Sequence, residues 1–526
     1  MKMRSKRIMA LLLAALLAIG TVGCGNQSDD KTTAGADTTT KADTTTQEAP
    51  VGDTTAEETV PAVDTSKYVD LSWYVSIKTS DGMNEVFAEA NKIFKDKLNC
   101  NVEFNFLGGS TAYATNMNLM IGTQEEFDIC YTDNWSLLYS DCVAQGGFLD
   151  ITDMLQTVTP ELWEAIPEEA WDACRINGRI YGIPNTQQWA RSAGYLFNAK
   201  YYEEYDGKSV DSLGKLADYI IRVSEGEAAK GNKWEGQANG AKDWMYDYCQ
   251  TVGWEFIGAQ QIPGIANGTE EHPTVFNQFL TDEYKEIIQA KAKLYVAGCI
   301  PSDILTSSTT YPVSNEIACF ENLGMSDERE QQNTKKDWEG VVLIRPGISL
   351  LTTDSVTATM TAVSATSKNP ERALLAIQEM YFNGELLDLM KIGIKDKHYT
   401  VDDQGRYTKI SGSGYTGVSY KMGCTFSGML PSSYEDLDRW ERTEEWNANA
   451  TPSALLGFNY DTSKCSTEIT NCQAVVNEYH KIFMAGAYGE DTMKYYDEFI
   501  AKLEAAGVNT VIADKQAQID AFLAGK

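Results

Sequence analysis

Apolar residues recur with two different periods at the start of the globular part of the chain. Residues 68–75 are rich in β-branched and aromatic side chains, which predicts a strand. The pattern then predicts, in chain order, a helix through 86–94, a strand at 102–106, a helix at 113–121 and a strand at 127–132. This β-α-β-α-β order predicts a mostly parallel sheet covered by helices, with ligands beyond the carboxyl ends of its strands. The loop after Val75 and the loop 133–135 occupy that position.

Residues 175–185 are expected to lead the chain from one compact body into another. Asn177-Gly178 is a turn signal, because both residues tolerate positive φ, and Pro184 ends regular pairing. A second apolar run at 193–197 comes directly afterwards, and ligand clefts form where segments cross between lobes. An ordinary hairpin inside one domain explains the same local pattern equally well, so both interpretations stay open.

The remaining pattern predicts a second αβ region and a helical end to the chain. Thr281 is a predicted N-cap and Gly298 a predicted left-handed C-cap, while Asn369-Pro370 starts another helix. The predicted elements are helices at 213–224, 281–297, 474–485, 495–506 and 514–523, and a hairpin at 399–408.

Length and charge restrict the class of protein. A chain of 526 residues is too long for one core and should form at least two domains. The formal net charge of -31 repels phosphate backbones and anionic lipid headgroups, which argues against nucleic acid and against membrane binding by charge.

The first 65 residues have the pattern of an exported, anchored protein. Basic residues precede an apolar run at 8–19, which indicates a signal peptide over residues 1–23. Thr21-Val22-Gly23-Cys24 resembles a bacterial lipobox, in which the cysteine receives a lipid; a plain signal peptide with an incidental cysteine is the alternative. Cys24 and the following residues to 65, rich in Thr, Ala, Asp and Glu, are expected to form a lipidated, disordered tether.

Motifs for metal, cofactor or catalytic chemistry are not found in the sequence. The ten cysteines after Cys24 contain no CxxC pair, and both disulfides and buried free thiols stay open for them. Asp402-Asp403-Gln404-Gly405 lacks the later acidic ligands of a calcium loop and is better explained as a hairpin turn. The sequence has no nucleophile elbow, no zinc-protease motif and no phosphate-binding loop. We therefore expect no metal, no cofactor and no enzymatic activity.

Several blocks together resemble the extracellular solute-binding lipoproteins of bacterial ABC importers, the family 1 carbohydrate type, in a branch with an extended C-terminal region. These blocks are residues 122–129, 146–152, 177–185, 367–373, 393–399 and 457–460, and the tail to 507. The resemblance implies an α/β fold of the type II periplasmic-binding-protein kind: two hinged lobes with a cleft between them. By analogy, lobe one would hold residues 66–184 plus 347–395, and lobe two residues 185–346 plus 396–526.

A saccharide site needs planar polar groups for the hydroxyls and aromatic rings for the CH faces of the sugar. Loops predicted to face the cleft supply both kinds of side chain, and Lys78 would suit an anionic group such as a uronate. Asp133 and Trp135 match a loop that commonly contacts sugar in the family, and Asn322 lies in the corresponding loop of lobe two. The candidate ligand-binding residues are Trp73, Lys78, Asp133, Trp135, Asn185, Gln187, Trp189, Asn322 and Asp354.

The function implied is capture of a carbohydrate, an oligosaccharide above all, and its delivery to an ABC permease. The protein is expected to be a monomer on the extracytoplasmic face of the cell membrane, held there by its lipid and without nucleic acid partners. Three alternatives stay open: a binder of peptides with Arg191 as the carboxylate ligand, a secreted glycan-degrading enzyme, and an adhesion or scaffold lipoprotein without a small ligand.

Overall fold

The structure is a computed structural model, and it describes residues 63–526 except 241, 307–311, 325, 419 and 429. The predicted signal peptide, Cys24 and nearly all of the predicted tether lie outside the described residues. Within them, no helix is long and apolar enough to cross a membrane.

The first sheet has five strands and begins as the sequence predicts. Val69–Val75 pairs in parallel with Cys100–Phe106 on one side and Ile129–Thr132 on the other. Met360–Val363 and then Ile183–Pro184 extend the sheet in antiparallel pairing. The connecting helices are Met83–Leu98 and Ser110–Thr123. The first helix buries Met83, Val86, Ala90, Phe94 and Leu98, a stripe at helical spacing, against the sheet.

The second sheet has three antiparallel strands around Ala193–Asn198, which pairs with Ala318–Asn322 and Val341–Ile344. All six residues of the central strand are buried, because helices cover the sheet. These helices include Leu213–Ala229 and Asp282–Val296. The predicted caps of the latter are confirmed: Thr281 Oγ1 accepts a hydrogen bond from Tyr284 N, and Gly298 has φ 74°.

Two large hydrophobic cores lie around the two sheets, with two small apolar clusters beside them, and the chain passes between the large cores three times. The first core ends at Ala190 and the second begins at Ala193. The chain returns to the first core at Leu351. The last passage begins after Ala450, where Leu455 packs with Ile257 and Ala266 while Leu456 still lies in the first core. The three crossing segments, residues 190–193, 344–351 and 450–455, lie side by side. Arg191 forms a bridge with Leu350, and Leu350–Leu351 pairs in parallel with Thr451–Pro452.

The Asn177-Gly178 turn closes a hairpin, Arg175–Ile176 with Arg179–Ile180, and both turn residues have positive φ. The hairpin therefore belongs to the first body, and the crossing comes later, at 190–193. The hairpin interpretation thus holds for residues 175–180. The predicted crossing at 175–185 lies too early in the chain, because Trp189 and Ala190 still belong to the first core and the second begins at Ala193.

The predicted lobe assignment of residues 396–456 is corrected by the packing. Tyr415, Val418 and Met422 lie in the first core, although the family analogy assigned them to lobe two. Lys421 fixes this segment to the first sheet, because its Nζ donates to the carbonyl of Ser76 just after the first strand. The part around 415–422 thus packs in the first body, whereas Arg439 and Arg442 form ion pairs with Glu330 and Asp327 beside the second sheet.

The other elements are short and lie around the two sheets. The remaining α-helices are Tyr139–Ala144, Thr152–Thr157, Pro160–Ala165, Glu168–Cys174, Ala199–Tyr202, Trp244–Val252, Glu328–Thr334, Thr353–Val356, Pro370–Phe382, Gly384–Ile392, Arg439–Ala448, Ser466–Met484, Thr492–Ala505 and Val508–Ala524. The remaining hairpins pair Trp254–Phe256 with Ile265–Asn267 and Tyr399–Val401 with Tyr407–Lys409. Turns of 3-10 helix are Gly207–Ser209, Gln278–Leu280, Val313–Asn315, Thr425–Ser427, Thr462–Cys465 and Gly489–Asp491.

Candidate functional site

A cavity of about 570 Å3, partly open to solvent, lies against the crossing segments. One wall comes from the crossings and the helix directly after the second of them, and the other from the helix Trp244–Val252 and the strand after it. We call it the crossing pocket. Its lining residues are Arg191, Tyr246, Cys249, Gln250, Trp254, Glu255, Phe256, Gln260, Leu350, Thr352, Asp354 and Ser355.

Two crossing segments bring polar groups to this pocket, and the third holds one of its lining residues in place. The first supplies Arg191, whose Nη1 donates to the hydroxyl of Tyr246 at 2.9 Å. The second leads directly to Asp354, in the first turn of the short helix Thr353–Val356. The third contains Ser453, whose hydroxyl donates to the carboxyl group of Glu255. A movement of one lobe against the other therefore changes the pocket itself.

The second lobe supplies the aromatic surface of the pocket. Gly253, with φ 74°, ends the helix Trp244–Val252, and the chain turns at once into the strand that carries Trp254 and Phe256. The rings of Tyr246 and Phe256 lie 5.7 Å apart, and all three aromatic residues keep part of their surface accessible. Partly accessible rings in a cleft provide the flat apolar faces on which sugars stack.

Two carboxyl groups of the pocket are shifted in the same direction. Burial raises the pKa of Glu255 to about 7, and the charge of Asp354 adds to the effect. The pKa of Asp354 is also raised, first by crowding of protein atoms around its carboxylate, and Arg191 opposes that rise. Although Asp354 exposes more than a third of its surface, that surface faces a recessed pocket, which explains the weakened hydration.

The position of Glu255 depends on Gly268. A Cβ atom on Gly268 would lie 1.9 Å from Glu255 Oε1 and 2.7 Å from Ser453 Oγ. The strand pair that carries Glu255 therefore needs a residue without a side chain at this position for the carboxyl group to reach the third crossing segment.

Two of the candidate residues from sequence lie at or beside the crossing pocket. Asp354 lines it, and Trp135 is 48% exposed on the neighbouring loop. Asn134 ties that loop to the pocket, because its Nδ2 donates to the carbonyl of Asp354 at 2.7 Å. The loop after the third strand of the first sheet thus faces the cleft, as its place in the sheet predicts.

Four other candidates are corrected, because their side chains are buried in the first body. Trp73 is fully buried and stacks on Phe104, since the alternation of its strand points it into the core. Trp189 is 3% exposed, and its indole donates to the carbonyl of Asn185, which is itself buried. The carboxylate of Asp133 accepts hydrogen bonds from three backbone amides of its own loop, Trp135, Ser136 and Leu137. These four side chains hold loops and strands in place instead of facing the pocket.

The last three candidates do not line the crossing pocket. Lys78 is exposed in the loop after the first strand, and Asn322 is exposed at the end of Ala318–Asn322, beside the first crossing. Gln187 donates from Nε2 to Thr359 Oγ1 at 3.0 Å. A ligand role for them stays a prediction.

The main residues missed from sequence are those of the second wall: Tyr246, Gln250, Trp254, Glu255, Phe256 and Gln260. A signal was available, because the range 244–256 is dense in aromatic residues and contains Gly253, which is typical of a turn between two elements. The pattern did not show which of these rings faces the cleft and which the core.

The described part of the chain offers few side chains for metal or thiol chemistry. No cluster of three or more His, Cys, Asp or Glu side chains there could hold a metal ion. The ten cysteines are all free, and all are buried except Cys424, which is half-buried.

Comparisons with known proteins agree with this architecture. Residues 454–524 match a family model described as a domain of unknown function, DUF3502. The carbohydrate ABC transporter substrate-binding protein of Streptococcus pneumoniae serotype 4 is 23% identical over 85% of this chain and 89% of its own length. The sequence resemblance thus extends over both lobes.

Solved structures share the fold. The N-glycan transport solute binding protein NgtS of Streptococcus pneumoniae is 21% identical, with a TM-score of 0.73 over 87% of this chain and 99% of NgtS. Its complex with Man5GlcNAc matches at 22% identity and a TM-score of 0.62, over 88% and 99%. An HMO-binding, ABC-transporter-associated solute-binding protein of Bifidobacterium longum infantis matches at 15% and 0.59, over 87% and 99%. The resemblance inferred from sequence is confirmed: the chain is a two-lobed α/β protein related to the carbohydrate solute-binding proteins of bacterial ABC transporters.

Proposed function

We propose that the protein captures an oligosaccharide in the cleft between its lobes and delivers it to an ABC importer. The observation that carries the proposal is the composition of the crossing pocket. Aromatic faces from the second lobe oppose a carboxylate and a guanidinium group from the crossings. A sugar presents CH faces and a ring of hydroxyls, and this pocket offers partners for both.

The pocket also explains how capture changes the shape of the molecule. Arg191 lies in the first crossing segment and Asp354 comes directly after the second. Trp254 and Phe256 belong to the second lobe. One ligand can therefore contact the crossing segments and the second lobe at the same time. Some ligand contacts form only when the lobes approach each other. These contacts stabilise the closed form over the open form, by an amount set by the ligand's difference in affinity for the two forms. The importer would then recognise the closed form.

The relatives support a glycan over other solutes. NgtS is described as an N-glycan transport protein and has been solved with Man1GlcNAc and Man5GlcNAc, and the Bifidobacterium protein is described as HMO-binding. The proposal includes binding without turnover, export by residues 1–23, anchoring to the membrane through a lipid on Cys24, and action as a monomer on the extracytoplasmic face.

A peptide ligand is the second candidate, because Arg191 lines the pocket. Its guanidinium group, however, donates to Tyr246 and interacts with the carboxyl group of Asp354. An arginine that already has Asp354 beside it is a weaker partner for the carboxylate of a peptide or of a uronate. The charges of the pocket therefore favour a neutral ligand.

Isothermal titration of residues 63–526 with Man1GlcNAc, Man5GlcNAc, other oligosaccharides and peptides tests the proposal. We expect saturable binding of an oligosaccharide and a loss of at least about tenfold in affinity for Trp254→Ala, equivalent to about 1.4 kcal/mol. Leu119→Ala, on an exposed helix face remote in sequence from the pocket, is the control and should bind as the unaltered protein does. If only peptides bind, a sugar is not the ligand. Release of new reducing ends from the glycan would indicate an enzyme. Silence across the panel would favour the scaffold alternative.

A further inference from the structure

Residues 454–524, the range that the family model covers, include none of the residues that line the crossing pocket. We call this range the C-terminal region. Its α-helices are Ser466–Met484, Thr492–Ala505 and Val508–Ala524, and they pack in the second core. Polar side chains of the first and last of these helices contact the parts of the second lobe that carry the aromatic wall of the pocket. Three such contacts lead from the C-terminal region to the three aromatic residues of that wall.

The first contact fixes the start of the helix that carries Tyr246. Asp243 Oδ1 caps this helix by accepting from two backbone amides of its first turn, and its Oδ2 lies 2.7 Å from His480 Nε2. Burial acts to raise the pKa of Asp243, but His480 and the cap outweigh it, so the carboxylate accepts and Nε2 donates. The hydroxyl of Tyr284 holds the other side of the imidazole, 3.1 Å from Nδ1. His480 therefore acts on the pocket through Asp243, and Tyr246 in turn binds Arg191 there.

The second contact closes the loop of the hairpin that carries Trp254 and Phe256. Lys515 is fully buried, and its Nζ donates to the carbonyls of Ile262 and Gly264 at 3.2 and 3.0 Å. Gly264 has φ 111°, and a Cβ atom there would lie 2.9 Å from Lys515 Cδ. The loop thus needs a residue without a side chain where the lysine passes. A buried ammonium group is costly without acceptors, so the loop and the last helix hold each other in place.

The third contact supports Trp254 through a neighbouring ring. Gln516 Oε1 accepts from Val275 N at 2.7 Å, and its Nε2 donates to the carbonyl of Pro273 at 3.2 Å. Phe276 follows directly, and its ring lies 5.0 Å from that of Trp254 in an edge-to-face arrangement. Phe276 does not line the crossing pocket, so it supports the tryptophan without taking part in the lining.

We propose that the C-terminal region positions the aromatic wall of the crossing pocket for its ligand, with His480, Lys515 and Gln516 as the positioning residues. The inference rests on the proposed function and deepens it, because it assigns this region a part in ligand binding without contact to the ligand. Rings that are already fixed lose less freedom when a ligand binds, and binding is tighter for that reason. The C-terminal region therefore contributes affinity, and the residues of the lining choose the ligand.

Substitutions at the two ends of one contact separate positioning from general stability. His480→Met removes the donor to Asp243, whereas His480→Gln supplies an amide N–H in its place. Asp243→Ser keeps a residue type that caps helices but lacks the second oxygen for the histidine. Lys515→Met tests the second contact. Tyr479→Phe is the matched control, because it removes a hydrogen bond that only joins two helices of the C-terminal region to each other.

The measurements are isothermal titration of residues 63–526 with Man5GlcNAc and amide hydrogen exchange of residues 244–267, with the thermal midpoint as the check on folding. We expect His480→Met, Asp243→Ser and Lys515→Met to weaken binding about threefold or more and to speed exchange in this range. His480→Gln should restore both properties, and Tyr479→Phe should change neither. The double variant of His480→Met and Asp243→Ser should bind no more weakly than either single variant, because both break the same contact.

Unchanged affinity and exchange in folded His480→Met and Lys515→Met would overturn the positioning role and leave the proposed function intact. Equal losses in Tyr479→Phe would also overturn it, because general instability would then explain the effect. If the unaltered protein binds neither Man5GlcNAc nor any other glycan, the proposed function fails. The exchange measurement still decides in that case: faster exchange of 244–267 in His480→Met supports positioning of the wall, and unchanged exchange refutes it.

Discussion

Glu255 is the ionisable group of the crossing pocket whose protonation the fold changes most clearly. Its carboxyl group accepts from Ser453 and lies near Asp354, and burial raises its pKa from 4.5 to about 7. Glu255→Gln keeps the size of the side chain and an acceptor oxygen for Ser453 but removes the titration. We therefore expect this substitution to change how stability depends on pH while leaving the fold intact.

The magnitude comes from the difference between the folded and unfolded pKa of Glu255. Between pH 4.5 and 7 the folded protein retains a proton that the unfolded chain releases, so stability falls as pH rises through this window and is then constant. A pKa raised from 4.5 to about 7 corresponds, at about 1.36 kcal/mol per pH unit, to an upper bound of about 3.4 kcal/mol. Glu255 keeps part of its surface accessible, and screening by solvent reduces this to about 1–3 kcal/mol.

Urea unfolding at pH 5, 6.5 and 8, followed by tryptophan fluorescence, measures the effect. Glu255→Gln should match the unaltered protein at pH 5 and exceed its stability by about 1–3 kcal/mol at pH 8. Glu271→Gln, an exposed glutamate, should behave as the unaltered protein does at every pH. The reasoning is refuted if the stability difference between Glu255→Gln and the unaltered protein is the same at all three pH values.

Three further substitutions and one chemical measurement test other parts of the structure. Lys515→Met should lower the free energy of unfolding by about 1–3 kcal/mol in urea, because buried Lys515 Nζ donates to the carbonyls of Ile262 and Gly264. Lys481→Met, at an exposed lysine, is its control. Equal stability of the two variants would contradict the role of Lys515. Gly268→Ala should lower stability by about 1–3 kcal/mol and weaken ligand binding, because its Cβ would displace Glu255. Gly122→Ala, in a helix with open space around the new Cβ, should instead raise stability by about 0.5–1 kcal/mol, and a loss there would count against the helix. Titration of residues 63–526 with a thiol reagent should find about one reactive cysteine in the native protein and ten in denaturant; several fast-reacting native thiols would contradict the packing.

Local signals along the chain predicted most of the elements near the site. The strand and helix order of the first sheet, the Thr281 and Gly298 caps and the hairpin at Tyr399–Val401 result from periodicity and turn chemistry, which act over a few residues. The candidate site was predicted less well. Asp354 lines the crossing pocket, but Trp73 and Trp189 are buried, because a tryptophan at the end of a strand or beside a crossing has the same local pattern in either environment.

The wall of the crossing pocket from the second lobe could not be located from sequence. Trp254 and Glu255 stand more than sixty residues from Arg191 and about a hundred from Asp354, and only the side-by-side crossing segments bring them together. The part of the chain around 415–422 was assigned to the other lobe for a related reason. Its place depends on the contact between Lys421 and Ser76, more than three hundred residues apart.

The sequence by itself determined the class of the protein: its α/β elements, its acidic surface, and the family resemblance that made an oligosaccharide the expected ligand. Those properties depend on local pattern and composition, which can be read in chain order. Tertiary structure alone decided where the cores divide and which aromatic rings face the cleft. These depend on burial and on pairing between distant segments, and the free energy of both is set by neighbours that the linear order of residues does not specify.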